Sequence, residues 1–295
     1  MWLILTLFSA FFLGFYDILK KESLKDNAVW PVLFFGALTS TLIFIPIVLM
    51  SECGILKSGD FIFAPRLTTQ EHLMVLLKTF IVLISWVFNY FALKHLPLTI
   101  VAPVRATGPL WTLVGALILF GEQLNIYQWA GMVLTLFFFF RFSTVGKLEG
   151  LSFRNNKWMW FIIAGTIAGS VSALYDKHIL RQVDRVAVQA WFSFYQVLLL
   201  LPVLWFVRRK RPERVPFYWR WTIPLIGLFL VVADFLYFYA ISEPESLISV
   251  ISALRRSSVI IPFLFGALIF GEKNVKKKAL YLGGILIGIA LLLLG

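Results

Sequence analysis

Residues 115–122 read GALILFGE, and residues 266–272 read GALIFGE. Arg105 stands 17 positions before Glu122, and Arg255 stands 17 positions before Glu272. A match in both sequence and spacing predicts that the chain contains two related halves.

Two further matches extend the repeat toward the start of each half. Residues 89–93 read NYFAL and residues 237–241 read YFYAI, while Tyr16-Asp17 corresponds to Tyr175-Asp176. The matches stand in the same order in both halves, so we expect the halves to share one fold.

The composition determines the class of protein. Hydrophobic residues make up 60% of the 295 residues, and charged residues only 14%, whereas soluble domains carry about 25% charged residues. A soluble globular domain and a disordered chain are therefore excluded. The single cysteine, Cys53, also excludes an internal disulfide framework.

Ten apolar runs approach the roughly 20 residues that a helix needs to cross a bilayer. They are residues 2–19, 29–50, 73–93, 98–120, 126–140, 158–174, 186–207, 221–241, 247–270 and 279–294. The first run has no basic start and no small-residue cleavage site, so we expect it to remain as a span. We predict an all-α polytopic membrane protein with ten transmembrane helices.

The net charge of +12 is mostly a topology signal. Most of the 27 basic residues fall in the connections after spans one, three, five, seven and nine, and loops rich in Lys and Arg stay in the cytoplasm. This bias places both termini outside the cell. It also removes the main reason to expect nucleic-acid binding.

Five spans in each half invert the second half relative to the first, so we predict two inverted five-helix repeats at residues 1–142 and 158–295, joined by a linker at 143–157. Inverted repeats are typical of alternating-access carriers with a site near the midplane. With its five-plus-five spans and paired GALxxxGE-like endings, the chain resembles the drug/metabolite transporter superfamily, EamA type. The resemblance implies a ten-helix carrier of a small molecule, with both termini in the cytoplasm, in conflict with the loop charges.

Charged groups within a bilayer are costly, about 2.5–3.5 kcal/mol each on insertion scales, so each needs a reason. Arg105 lies in span four, and Arg255 and Arg256 lie in span nine. Their guanidinium groups suit phosphate or carboxylate, and a basic residue on helix four with a basic pair on helix nine resembles the sugar-phosphate/phosphate translocator branch of the superfamily. Alternatively, Asp234 in span eight forms a structural ion pair with Arg255. Arg256, about 100° further around the helix, is expected to face elsewhere.

Three acidic residues are candidates for coupling or ion pairing. A buried Asp234 can carry a proton, which a nearby arginine would oppose. Asp17 and Asp176 stand near the ends of spans one and six, where they either form gates with Lys21 and Arg181 or are interfacial charges. We favour interfacial charges, because helix ends hold charges at low cost.

Polar and aromatic residues complete the candidate site. Trp86, Asn89 and Tyr237 lie in spans that correspond in the repeat and either line the cavity or pack. Glu122 and Glu272 are predicted helix caps. The stripe Ser246, Ser249, Ser252 and Arg255 is predicted to face the cavity, with kinks at Pro103, Pro109 and Pro262 and close packing at Gly165, Gly169, Gly284 and Gly288. The last two glycines join helices five and ten or form a dimer face.

We therefore predict a secondary-active transporter in the cell membrane, the inner membrane if the source is bacterial, that moves a small anionic metabolite by alternating access. The alternative is a proton-coupled efflux carrier for amino acids or amphipathic drugs, with Asp234 carrying the proton. No catalytic constellation, cofactor motif or metal-ligand spacing is present, so we expect no enzyme activity, no cofactor and no metal. The expected partners are a small-molecule substrate and the lipid bilayer, in a monomer or a homodimer.

Overall fold

A computed structural model describes residues 1–96, 101, 104–105, 107–146, 156–210, 216–261 and 275–294. Pro103, Pro262 and the stretch 266–272 lie outside these residues, as does most of the predicted linker. The described residues form ten α-helices, which we number in chain order. They are α1 (Trp2–Leu24), α2 (Val29–Glu52), α3 (Thr69–His95), α4 (Gly108–Phe120), α5 (Ile126–Gly146), α6 (Lys157–Ile179), α7 (Arg185–Lys210), α8 (Thr222–Ser242), α9 (Ile248–Arg255) and α10 (Val275–Leu293).

The helices confirm the predicted all-helical membrane fold. Six of them (α1, α2, α3, α6, α7 and α8) are long and apolar enough to cross a membrane, and residues of α4, α5 and α10 form shorter apolar helices. Local signals set several helix ends. Thr68 and Glu71 form a capping box at the start of α3, and Gly121, with a φ of +61°, ends α4 in the left-handed conformation that glycine adopts without strain.

Helix pairing follows a two-fold pattern that the repeat explains. Helix α1 packs along α8, and its counterpart α6 packs along α3; likewise α1 contacts α9, and α6 contacts α4. We call α1, α2, α8 and α9 the first bundle, and α3, α4, α6 and α7 the second bundle. Each bundle takes two helices from each half, and α5 packs against α10 beside them.

Glycines allow the closest helix approaches. A Cβ on Gly284 would lie 2.4 Å from the ring of Phe138, and one on Gly288 would lie 2.3 Å from Thr135 Oγ1. These two glycines therefore hold α10 against α5, one of the two roles predicted for them. Gly165 and Gly169 similarly face Asn89 and Ser85 of α3.

The two spans that carry the arginines are not continuous α-helices. Helix α4 begins at Gly108 after a turn at Thr107, with Pro109 in its first turn, where proline fits a helix start. Helix α9 ends at Arg255 and continues as a 3₁₀ turn over Arg256–Val259. Each arginine therefore lies beside a break in its helix. Such breaks are tolerated at membrane depth where the backbone lines a cavity.

Candidate functional site

A cavity of about 200 Å³ lies between the two bundles. All nine residues singled out in the sequence contribute to its wall: Asp17, Trp86, Asn89, Arg105, Asp176, Asp234, Tyr237, Arg255 and Arg256. The structure thus brings together side chains from α1, α3, α6, α8, α9 and the segments beside the breaks. What these residues bind remains a prediction.

The cavity wall carries more positive than negative charge. Five cationic side chains line it: Lys20, Lys78, Arg105, Arg255 and Arg256. Three carboxylates face them: Asp17, Asp176 and Asp234. The described lining therefore has an excess of two positive charges, which favours an anionic ligand.

Asp17 lies between two of these cations. Its Oδ1 is 3.1 Å from Arg105 Nη1 and 3.3 Å from Lys20 Nζ. The predicted gate with Lys21 is wrong, because Lys21 instead donates a hydrogen bond to the Leu93 carbonyl at 3.1 Å. The interfacial alternative is wrong as well, because the Asp17 side chain is only 14% exposed and lines the cavity. An aspartate two residues before the predicted end of span one is here inside the helix, since α1 runs on to Leu24.

Asp176 is the most deeply buried of the three carboxylates and pairs with Lys78 of α3. The Lys78 ammonium also lies 4.6 Å from the centre of the Phe192 ring and 4.7 Å from that of Phe238. The proposed gate with Arg181 is wrong, since Arg181 lies over Phe120. The favoured interfacial role is also wrong, because α6 continues to Ile179 and keeps Asp176 within the fold.

Asp234 forms the ion pair that the sequence offered as an alternative. Arg255 Nη2 donates to Asp234 Oδ1 at 2.9 Å, and the guanidinium carbon lies 3.8 Å from the Tyr237 ring centre. Both side chains still reach the cavity. Pairing and cavity lining are therefore compatible in this site.

Arg256 differs from the other cations. The expectation that it faces away is wrong, because both arginines lie on the cavity wall, at the point where α9 ends and the 3₁₀ turn begins. Its guanidinium lies against Gly108, where a Cβ would be 2.8 Å from Nη2. Among the described residues it has no carboxylate within ion-pair distance, and its buried Nε has no hydrogen-bond partner.

Asn89 and Trp86 form the part of the wall contributed by α3. Asn89 Nδ2 donates to the Ser85 carbonyl at 2.7 Å, while its buried Oδ1 has no partner within the described chain. The Trp86 ring meets Phe192 edge-on, with 6.2 Å between centroids. Asn89 thus presents an unused acceptor, and Trp86 an apolar surface.

Hydrogen bonds at the start of α9 join the two bundles. The Glu122 carboxylate, just after α4, accepts hydrogen bonds from Ile248 N at 2.6 Å, Ser249 N at 3.2 Å and Ser249 Oγ at 2.5 Å. Glu122 is therefore a helix cap, as predicted, but the helix that it caps is α9 of the other half. Lys177 adds a second link, with 2.7 Å between its Nζ and Ser246 Oγ.

The predicted serine stripe divides between two tasks. Ser252 and Arg255 line the cavity, whereas Ser246 and Ser249 make the hydrogen bonds between the bundles just described. Ser252 also donates to Thr112 Oγ1 of α4 at 3.2 Å, which joins the bundles. Glu272, the predicted counterpart of Glu122, lies outside the described residues.

The sequence model of the EamA-like transporter family matches residues 1–143 and 156–294. The chain belongs to this family. Its members are transporters, so this EamA-like protein is a multi-pass membrane transporter of small molecules, with a small-molecule substrate and the bilayer as partners. The match confirms the resemblance drawn from the GALxxxGE-like repeats.

Comparison with solved structures adds the fold alone. One crystal structure superposes on this EamA-like chain with a TM-score of 0.71 at 16% sequence identity, covering 99% of this chain and 97% of that chain. No curated protein matches the chain.

The polar lining residues of this EamA-like transporter that were not predicted include Lys78, Lys20, Tyr16 and Tyr90. Lys78 carried the same signal as the arginines, a charge inside a span, and that cost alone marks it. Lys20, Tyr16 and Tyr90 gave no such signal, because Lys20 follows the predicted end of span one and the tyrosines are indistinguishable from packing residues. The Lys20 ammonium lies 4.4 Å from the Tyr16 ring centre and 5.1 Å from that of Tyr90.

Proposed function

We propose that the protein is a secondary-active carrier that moves a small anionic metabolite by alternating access. The observation that carries this proposal is the charge of the cavity, where five cations face three carboxylates. Asp234 neutralises Arg255, and Asp17 is shared by Lys20 and Arg105. The excess positive charge therefore resides in Arg256 and in the group formed by Asp17 with Lys20 and Arg105.

The arginines come from both bundles. Arg105 precedes α4 of the second bundle, whereas Arg255 and Arg256 follow one another at the end of α9 in the first bundle. Planar guanidinium groups bind carboxylate or phosphate through paired hydrogen bonds. An anion held by both bundles is bound best when they close around it, which favours occlusion followed by release on the far side.

Cavity size favours a metabolite over a drug. Pockets for drug-sized ligands hold about 300–1,000 Å³, and this cavity holds about 200 Å³. The alternative of proton antiport through Asp234 is disfavoured because its carboxylate is already engaged as the ion-pair partner of Arg255. Transport of a small anion is therefore the function we propose.

Counter-exchange in proteoliposomes tests the proposal. Vesicles loaded in turn with malate, inorganic phosphate, glutamate or leucine would be assayed for uptake of the same labelled compound. We expect exchange of at least one anion, abolished by Arg256→Gln and by Arg105→Gln.

The matched control is Arg66→Gln, which alters an exposed arginine paired with Glu52 outside the cavity. It is expected to leave exchange unchanged. Exchange at wild-type rates in both cavity variants, or exchange of leucine alone, would refute an anion site.

A further inference from the structure

Three buried polar atoms of the cavity-lining residues have no hydrogen-bond partner within the described chain. They are Asn89 Oδ1, Arg255 Nε and Arg256 Nε. A buried polar atom without a partner is costly, and in native proteins such atoms are satisfied by protein, water or ligand. The wall therefore offers a ligand one acceptor and two donors.

The neighbours of Asn89 fix the orientation of its amide. Nδ2 donates to the Ser85 carbonyl at 2.7 Å and lies 3.2 Å from Ser85 Oγ. That hydroxyl donates its own proton to the Gly165 carbonyl at 2.7 Å, so both partners of Nδ2 accept. Turning the amide over would place Oδ1 against two acceptors. Oδ1 is therefore the atom left for a ligand, and it can only accept a hydrogen bond.

Helix α6 places Asn89 and Arg256 beside the same part of the wall. Ser170 of α6 donates from its Oγ to the Gly108 carbonyl at 3.0 Å, and Gly108 is the glycine against which the Arg256 guanidinium lies. A Cβ on the preceding glycine of α6 would be 3.2 Å from Ser85 Oγ, the atom beside Asn89 Nδ2. An anion bound by Arg256 can therefore present a neighbouring group to Asn89.

The charge of the wall decides which group that is. Both a hydroxyl and an ammonium can donate to an amide oxygen. The described wall has an excess of two positive charges, and each of its three carboxylates already has a cationic partner. An ammonium would be repelled by this excess, whereas a neutral hydroxyl would not.

We propose that Asn89 is a specificity-determining residue, and that the cargo is a small hydroxylated anion whose hydroxyl group donates to Asn89 Oδ1. The proposal rests on the proposed function for the anion and adds the hydroxyl group to it. A site built to bind a hydroxyl rejects the analogue that lacks it, because the buried acceptor is then left without a partner.

A series of three compounds tests the proposal in the wild type. Malate, succinate and aspartate share one dicarboxylate skeleton and differ at a single carbon, which carries a hydroxyl, a hydrogen or an ammonium. Each would compete in proteoliposomes with the labelled anion that exchanges best. We expect malate to halve the exchange at a concentration at least about tenfold lower than succinate, and aspartate to compete less well than malate.

Two substitutions test the assignment to Asn89. Asn89→Leu keeps a similar size without an acceptor, and Asn89→Ala removes the amide with a smaller side chain. The ratio of the malate and succinate concentrations is compared, because replacing a wall residue also changes the rate. We expect the preference for malate to disappear or reverse in both variants, since its hydroxyl then loses water and gains no partner. Gln70→Leu, at an exposed amide in the first turn of α3, should keep the wild-type ratio.

The outcomes separate this proposal from the anion carrier. Equal competition by malate and succinate in the wild type, stronger competition by aspartate, or a wild-type ratio in both Asn89 variants would overturn the role of Asn89 and leave the carrier standing. No exchange of any anion would refute the carrier. Thermal unfolding titrated with the three compounds needs no transport, and stabilisation by malate no larger than that by succinate would overturn the hydroxyl preference in that case as well.

Discussion

Arg105 Nη1 lies 3.1 Å from Asp17 Oδ1, and this contact joins the second bundle to the first. The same oxygen is 3.3 Å from Lys20 Nζ, so one carboxylate serves two cations. If the cargo is an anion, as proposed, it would compete with Asp17 for Arg105. Asp17 would then take the place of the cargo when the cavity is empty.

Replacing Asp17 with Asn should weaken the empty protein and strengthen cargo binding. Lys20 and Arg105 would lose their counter-ion, which lowers the melting temperature without ligand, and a bound anion would replace the missing charge. We expect anion affinity to rise by roughly tenfold, about 1.4 kcal/mol. Thermal unfolding with and without malate or inorganic phosphate measures both effects.

Asp26→Asn is the control for that prediction, because Asp26 is exposed and its positive φ of 51° suits asparagine equally well. It should change neither quantity. A smaller ligand-induced shift in Asp17→Asn than in the wild type would contradict the role assigned to Asp17.

The cap that Glu122 places on α9 should contribute measurably to stability. Glu122→Gln removes the negative charge from three hydrogen bonds at the start of α9, and loss of such a cap costs about 0.5–2 kcal/mol. A lower melting temperature is expected, while Glu245→Gln, at an exposed position in the α8–α9 connection, should match the wild type. Equal melting temperatures for all three proteins would show that the cap is dispensable.

Two adjacent glycines of α10 offer a test of the α5–α10 packing. Gly284→Ala would drive a methyl group into the ring of Phe138, at a cost of about 1–3 kcal/mol for overpacking. Gly283→Ala meets no atom within 4 Å among the described residues and should be neutral or slightly stabilising. Thermal unfolding in detergent compares the two, and a Gly283→Ala protein as unstable as Gly284→Ala would refute the packing difference.

The ring of Tyr237 should help to position Arg255. Their separation of 3.8 Å is a cation–π contact, worth about 0.5–2 kcal/mol. Tyr237→Phe keeps the ring and should preserve anion affinity, whereas Tyr237→Leu should lower it several-fold. Titration of anion-induced thermal shifts distinguishes the two variants, and equal loss in both would assign the effect to the hydroxyl group instead.

Hydropathy and the repeat were sufficient to predict the membrane fold, because both can be recognised without knowing which helices pack together. Arg105, Arg255 and Arg256 were found the same way, by the cost of a charge within an apolar run. The direction of Arg256 does not follow from the sequence, because a helical-wheel argument assumes a regular α-helix and α9 ends at Arg255.

Partners at long range were not accessible to the same reasoning. The apolar run of span six stops at residue 174, which predicts an interfacial position for Asp176, whereas α6 continues to Ile179. Its partner Lys78 lies 98 residues away in the chain, so no local pattern indicates the pair. The pairing of α1 with α8, instead of with a helix of its own half, is a property of the packed molecule. No sequence pattern within either half predicts this pairing.

The exchange of helices between the two halves has a consequence for how the protein is made. Helices α1 and α3 leave the ribosome long before their main partners α8 and α6, and α5 waits for α10, the last of the described helices. Lys78 must therefore enter the lipid about 100 residues of synthesis before Asp176 exists to neutralise it. During that interval Lys78 has no Asp176 to pair with, and an unpaired charge inside a membrane span is costly.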